Sequence, residues 1–306
     1  MTTQSQNNGR WPDFFLIGAP KCGTTSMDIY LAQHPEIYMS PLKEMHFFGQ
    51  PEIGIVPATR DESTYRGVFA AAQPKQQCGE SSVRYLYSRK AASQIRHANP
   101  DAKIIVMLRD PVGFMVSMHN QQRYNLTEKH ADFTAALAAE AERVESSHND
   151  DQDSPGRTDY RAQAIFSRYV RPYLEIFGRD QVHVMLLDDV RRDPAIAYRG
   201  VCEFLGVDPS FKPEFEIHNV SKAVRIGWLQ RVIMNQNLRG FGKRLMPDLV
   251  ATRIGKTLYA WNRIPAKPSG IDADLAAQLR QEFDGETRDL EALIHRDLSS
   301  WRIDPT

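Results

Sequence analysis

Nine consecutive positions concentrate groups that could hold an anion: Gly18-Ala19-Pro20-Lys21-Cys22-Gly23-Thr24-Thr25-Ser26. Glycine lets a backbone turn tightly and approach an oxyanion closely. A helix opening after such a turn presents free amides, and its dipole favours negative charge there. Lys21 adds a full positive charge, and Thr24, Thr25 and Ser26 add hydroxyl donors. The stretch therefore predicts an oxyanion cradle. The plainer alternative is a structural strand, turn and helix with incidental hydroxyls.

The spacing is close to the phosphate loop G-x-x-x-x-G-K-[ST], with one change. Thr24 stands where the lysine would be, and the lysine sits before the second glycine, at Lys21. In metal-assisted nucleotide hydrolysis that lysine serves the terminal phosphates and the hydroxyl serves Mg²⁺. A relocated lysine points to a different leaving group. Cys22 is a weak candidate nucleophile, because thiol-phosphatase chemistry wants arginine six residues later and Asp28 stands there.

Two further groups could take part. Arg109 precedes Asp110-Pro111, and an arginine at a strand end can chelate a phosphate through two nitrogens. Ser117, eight residues on, reaches the same anion only if the following helix lines the site. The alternative makes Asp110 a helix cap, Arg109 its ion-pair partner and Ser117 a neutral helix residue. In Lys43-Glu44-Met45-His46, Glu44 or His46 could act as a general base. A solvated Lys43–Glu44 pair and a packed histidine beside Phe47 and Phe48 are the plain alternatives.

These residues lie far apart in sequence, so a scaffold must gather them. The apolar run Phe14–Ile17 predicts a buried strand, and Thr24–Gln33 a helix after it. Short strands are expected at Glu36–Ser40 and Gln77–Gly79, a helix at Glu62–Ala72 and a strong strand at Lys103–Leu108. Pro111 then opens a helix to about Arg123. Polar Glu140–Tyr160 reads as an exposed loop and Arg161–Phe177 as one helix. Val182–Leu187 reads as a strand, Pro194–Leu205 as a helix closed by Gly206, and two helices follow Asp272. Strands alternating with helices give an α/β fold. The expectation is a P-loop-type, mostly parallel sheet flanked by helices, with helical insertions. The expected layout is a disordered leader at 1–10 and a single domain at 11–306, with a basic helical insertion at about 220–265.

Bulk properties narrow the function. Across 306 residues the formal net charge is zero, which gives no support for bulk nucleic-acid binding. Cys22, Cys78 and Cys202 form no CxxC pair and no metal-ligand spacing, so reduced thiols, no metal and a cytoplasmic location are expected. Met1–Arg10 lacks the apolar core of a signal peptide. No apolar run approaches the length of a membrane span.

Pro20-Lys21-Cys22-Gly23-Thr24-Thr25-Ser26 resembles the 5′-phosphosulfate loop of sulfotransferases that use 3′-phosphoadenosine 5′-phosphosulfate (PAPS). His34-Pro35-Glu36-Ile37 and Lys43-Glu44-Met45-His46-Phe47-Phe48 resemble the next block of the bacterial and heparan-type branch. Arg109-Asp110-Pro111 with Ser117 resembles the 3′-phosphate site. Phe204-Leu205-Gly206-Val207 and Arg296-Asp297-Leu298-Ser299 are also typical of the branch. The loop alone is moderately specific, whereas the ordered set is highly so. The resemblance implies in-line sulfuryl transfer from PAPS to a small-molecule, glycan or lipid hydroxyl. It implies Glu44 as base with His46 as second choice, Lys21 at the leaving phosphate, and residues 21–26, Arg109 and Ser117 around the donor. Lys267, before Pro268-Ser269-Gly270, is a weaker match to the loop that closes on the 3′-phosphate. Ser81 and Val83 stand where heparan-type relatives often carry lysine and proline, which argues against a glycosaminoglycan acceptor.

Arg225–Arg263 carries eight basic residues against the single acid Asp248, interleaved with apolar ones. It reads as a basic amphipathic helical stretch, either packed on the core or walling the acceptor cleft. Two competing functions stay in view: a P-loop kinase or nucleotide hydrolase, and a nucleotide-binding protein without catalysis.

Overall fold

Phe14-Phe15-Leu16-Ile17 offers no polar side chain to water, and it forms β1 (Phe14–Gly18), buried along its length. The same logic builds β4 (Lys103–Leu108), buried from Ile104 onward. Continuous apolar strands of this kind belong to sheets covered on both faces. The computed structural model describes residues 9–52, 54–146, 155–216, 222–224, 263–265 and 270–302.

With β2 (Ile37–Met39), β3 (Gln77–Ser81) and β5 (Val182–Leu186) these strands make a five-stranded sheet in the order β2-β3-β1-β4-β5. Every pairing in it is parallel. β1 lies at the centre, where the connections turn from one side of the sheet to the other. Ligands of such sheets bind beyond the carboxyl ends of the strands at that point. Gly79 of β3 pairs with Phe14, and a Cβ there would collide with the Phe14 ring and the Met39 sulfur.

The helices flank this sheet. They are α1 (Thr24–Ala32), α2 (Glu62–Gly67), α3 (Arg89–Ala98), α4 (Pro111–Tyr124), α5 (Phe133–Ser146) and α6 (Tyr160–Ala164). They continue as α7 (Phe166–Phe177), α8 (Leu187–Arg192), α9 (Pro194–Leu205), α10 (Ala273–Glu282) and α11 (Asp284–Ile294). Their ends follow from side chains read in the sequence. Asp110 caps α4 by accepting from the Gly113 amide at 2.6 Å, with Pro111 at the first position. Gly206 closes α9 in the left-handed region at φ 80°, which costs glycine little. Asp272 caps α10 through the Asp274 and Leu275 amides.

Four expectations need correction. Residues 140–146 continue α5 rather than belonging to a loop, because Ala136, Leu137 and Glu140 are buried and Glu140 accepts from the Arg161 amide at 2.8 Å. The helix expected at Arg161–Phe177 breaks at Ile165, which leaves helical geometry with ψ 72°. α2 stops at Gly67 instead of reaching Ala72. β3 runs to Ser81, so Glu80 and Ser81 are strand residues with buried side chains, not the turn after a strand.

Lys222–Val224 (β6) and Arg263–Pro265 (β7) pair antiparallel. The rest of the basic segment expected to be helical, at 225–262, lies outside the described residues. So do the leader residues 1–8 and Lys267. Gly9 and Arg10 are packed: Gly9 is buried and its carbonyl accepts from Arg66, and Arg10 pairs with Asp13. Among the described residues no helix is long and apolar enough to cross a membrane, and no group of three ligating side chains could hold a metal ion.

Candidate active site

β1 ends at Gly18, whose φ of 139° suits glycine, and a Cβ there would press on the Val83 carbonyl at 2.6 Å. The chain then turns through Lys21 (φ 63°) and Gly23 (φ 90°) into α1. Gly23 caps α1 with no side-chain hydrogen bond. First-turn amides have no carbonyl behind them within a helix, so this end of α1 suits an anion. Thr24 is buried, and Thr25 and Ser26 are half-buried on the same turn. Cys22 points the other way: it is fully buried, its Sγ lies 3.5 Å from the Pro20 carbonyl, and burial pushes its thiol up to about 12. A thiol held neutral in this way is a poor nucleophile.

α4 supplies the opposite wall. The Arg109 guanidinium reaches the Lys21 carbonyl with Nη1 at 3.4 Å, and its Nε is buried without a hydrogen bond. Asp110 lies 4.0 Å from that Nε while capping the helix, so the expected cap is formed and does not by itself exclude an anion at Arg109. An orphaned buried guanidinium donor fits a phosphate. Ser117 is half-buried on α4, and Gln121 follows one turn later on the same face. Gln121 Oε1 accepts from Lys21 Nζ at 3.1 Å and its amide donates to Asn125 at 3.0 Å. Gln121 was missed in the sequence. Its position four residues after Ser117 was the signal that could have found it.

The loop after β2 brings in Lys43, Glu44 and His46. Lys43 Nζ donates to the Thr24 carbonyl at 3.3 Å and lies 3.9 Å from Asp28, so this loop is fastened to the first turns of α1. Lys43 is therefore no solvated partner of Glu44. The Glu44 amide donates to the Ser81 carbonyl at 2.9 Å, and Glu44 Oε2 accepts from the Val83 amide at 3.1 Å. His46 Nε2 lies 3.2 Å from the same Oε2. The Glu44 side chain keeps 35% of its surface and the His46 side chain 6%. Burial raises the Glu44 carboxyl to about 7, against the opposing pull of the Val83 amide and Lys43. Burial, then the charges of Arg84 and Arg157, lowers His46 to about 4, so its ring is neutral near pH 7.

Lys21, Glu44 and His46 all have left-handed backbone, and the other such non-glycine residues described are Leu126 and His295. Each such residue costs about 1–3 kcal/mol and persists only where its surroundings impose it. The structure thus brings Arg109 and Gln121 to Lys21, and Glu44 with His46 to the Val83 amide, while Lys43 ties the second group to Thr24; Ser117 lies on α4 one turn before Gln121.

Comparison with known proteins identifies the family of the chain. A family model described as sulfotransferase domain matches residues 11–226. A solved sulfotransferase from Alicyclobacillus acidocaldarius is 32% identical, with a TM-score of 0.70, covering 96% of this chain and 99% of that one. Mouse carbohydrate sulfotransferase 15 is 26% identical over 65% of this chain and 44% of its own length. Mouse bifunctional heparan sulfate N-deacetylase/N-sulfotransferase 3 is 25% identical over 95% of this chain and 31% of its own length. The chain thus spans less than half the length of these curated relatives.

Proposed function

The chain belongs to the sulfotransferase family, and from that premise we propose that it moves a sulfuryl group from PAPS to an acceptor hydroxyl, with Glu44 as general base. PAPS supplies an activated sulfuryl group on a phosphate leaving group. The loop amides and hydroxyls of residues 21–26 hold its 5′ end, and Arg109 with Ser117 holds its 3′-phosphate. Glu44 is the more exposed of the two candidate bases, so its carboxylate takes the acceptor's proton as the acceptor oxygen bonds to sulfur. The neutral His46 ring donates from Nε2 to Glu44 Oε2 and holds that oxygen in place. Lys21 meets the negative charge that collects on the bridging oxygen as the sulfur–oxygen bond breaks. Such charge stabilisation is worth about 3–4 kcal/mol in a water-poor site.

One observation supports this reading above the others: Lys43 ties the base-bearing loop to the Thr24 carbonyl, at the mouth of the anion cradle. A kinase would place its lysine at position 24, where threonine stands. The relatives named for carbohydrate and heparan sulfate transfer favour a sugar hydroxyl or amino group as the acceptor class. The test is a panel of sugar, phenol, lipid and amine acceptors with sulfur-labelled PAPS. Transfer to at least one acceptor, and thermal stabilisation by adenosine 3′,5′-bisphosphate without Mg²⁺, are expected. Stabilisation by Mg-ATP alone would overturn the proposal in favour of a kinase.

A further inference from the structure

The left-handed loop at Glu44–His46 contains no glycine, so something outside it must hold it. Beneath it lies Glu80 on β3, fully buried and paired in register with Phe15. Ser82 Oγ donates to Glu80 Oε1 and Tyr65 OH donates to Oε2 at 3.0 Å. The Tyr85 hydroxyl faces the same carboxylate.

Each of these partners grips the loop. Ser82 Oγ accepts from the His46 amide at 3.1 Å. The Tyr85 hydroxyl accepts from the Phe47 amide at 2.8 Å and the Phe48 amide at 3.3 Å. The Tyr65 ring stacks on Phe47 at 4.2 Å between centroids. A hydroxyl that accepts from an amide must aim its own proton elsewhere. Only an acceptor beneath Ser82 and Tyr85 lets both hydroxyls turn their lone pairs upward together.

We infer that Glu80 is a positioning residue for the reaction: its carboxylate orients the Ser82 and Tyr85 hydroxyls, which seat the His46–Phe48 backbone and so aim His46 at Glu44. This rests on the reading of Glu44 as base. A carboxamide at position 80 would offer one acceptor oxygen and a donor NH₂ to groups that are all donors. At least one of the three hydroxyls would then have to turn over, and a turned Ser82 or Tyr85 hydroxyl releases its amide.

The test uses the full chain with histidine ring nitrogens labelled with ¹⁵N and observed at pH 8. The His46 signal is identified by its loss in His46→Asn. In the parent, His46 should give a single Nε2–H tautomer. Glu80→Gln and Tyr85→Phe, both near in shape to the parent, should replace that pattern by an averaged one. Their affinity for adenosine 3′,5′-bisphosphate should stay within about twofold by calorimetry, since the donor loop is untouched. Tyr173→Phe is the control. It deletes a buried phenol hydrogen bond of 2.7 Å to the Tyr85 carbonyl, and should lower the melting temperature without moving the His46 signal. An unchanged His46 pattern in both Glu80→Gln and Tyr85→Phe overturns the inference. So does a Tyr173→Phe spectrum altered as much as theirs, or a nucleotide affinity that falls with the ring signal, since either means general loosening. Should the parent sulfate no acceptor, the proposed function fails while the ring pattern still decides the role of Glu80.

Discussion

The loop from Gly18 to Thr24 and the loop from Lys43 to Phe48 both contain left-handed backbone, but they hold it by different means. The first uses glycine at two of its three unusual positions, with Lys21 the exception. The second places Glu44 and His46 there. It is held from below by Ser82, Tyr85 and Tyr65, which share one buried carboxylate. The contrast teaches that a site can fix its geometry through residue type within the loop or through hydrogen bonds from distant strands. The first way writes itself into a short motif and the second does not.

The largest effect that bears on this contrast is expected at the second loop. Glu44→Gln should lower turnover by about 10²–10⁴-fold, the usual range for losing a general base, with nucleotide affinity kept. Full activity in Glu44→Gln together with a dead His46→Ala would move the base to the histidine. The pH profile separates the two without mutation. The Glu44 carboxyl is raised from the ordinary carboxylate range to about 7, so its basic form is lost as pH falls through 7. The logarithm of kcat/KM should therefore drop by about one unit per pH unit below 7 and level off above it. His46 is lowered to about 4, so a histidine base would hold activity flat down to about that pH.

At the donor loop, Lys21→Ala should cost about 10²–10³-fold in turnover, the scale of one lost charge-stabilising group. Activity within tenfold of the parent would show that the loop binds without assisting departure. Arg109→Ala should weaken adenosine 3′,5′-bisphosphate by about 10–100-fold, the worth of a charged hydrogen bond or two, and leave adenosine 5′-phosphosulfate nearly unaffected. Equal weakening of both ligands, measured by calorimetry, would make Arg109 a structural support.

The smallest effect probes the glycine solution directly. Gly23→Ala should cost about 1–2 kcal/mol of stability, because an alanine at φ 90° meets its own backbone. The new methyl would touch the Leu187 and Met107 side-chain ends at 3.0 and 3.3 Å, and both can shift. Unchanged denaturant stability would mean that the loop relaxes, and the contrast with the second loop would weaken.

Sequence reading recovered what local rules write. The strands at Phe14 and Lys103, the Asp110-Pro111 start of α4, the Gly206 stop and the glycine turn between β1 and α1 all rest on neighbouring residues. It failed where distant residues decide. Glu140 extends α5 because Arg161 meets it from another helix, and no window around residue 140 contains that fact. Glu80 stood just past the strand expected at Gln77–Gly79 and drew no role from its neighbours. Its weight comes from Tyr65 and Tyr85 arriving from separate elements. Gln121 had only its spacing from Ser117 to point to it, and its weight comes from Lys21, which arrives from the loop after β1.

The strand pair β6–β7 closes the chain back on itself, with Val224 opposite Arg263 beside α4, the helix that bears Ser117 and Gln121. The two ends of the intervening chain, Val224 and Arg263, are therefore held together at one clasp. Once two ends are clasped, doubling the length between them costs only about 0.6 kcal/mol in closure entropy. By closure entropy alone, a change in the length of chain between Val224 and Arg263 is therefore cheap for the parallel sheet.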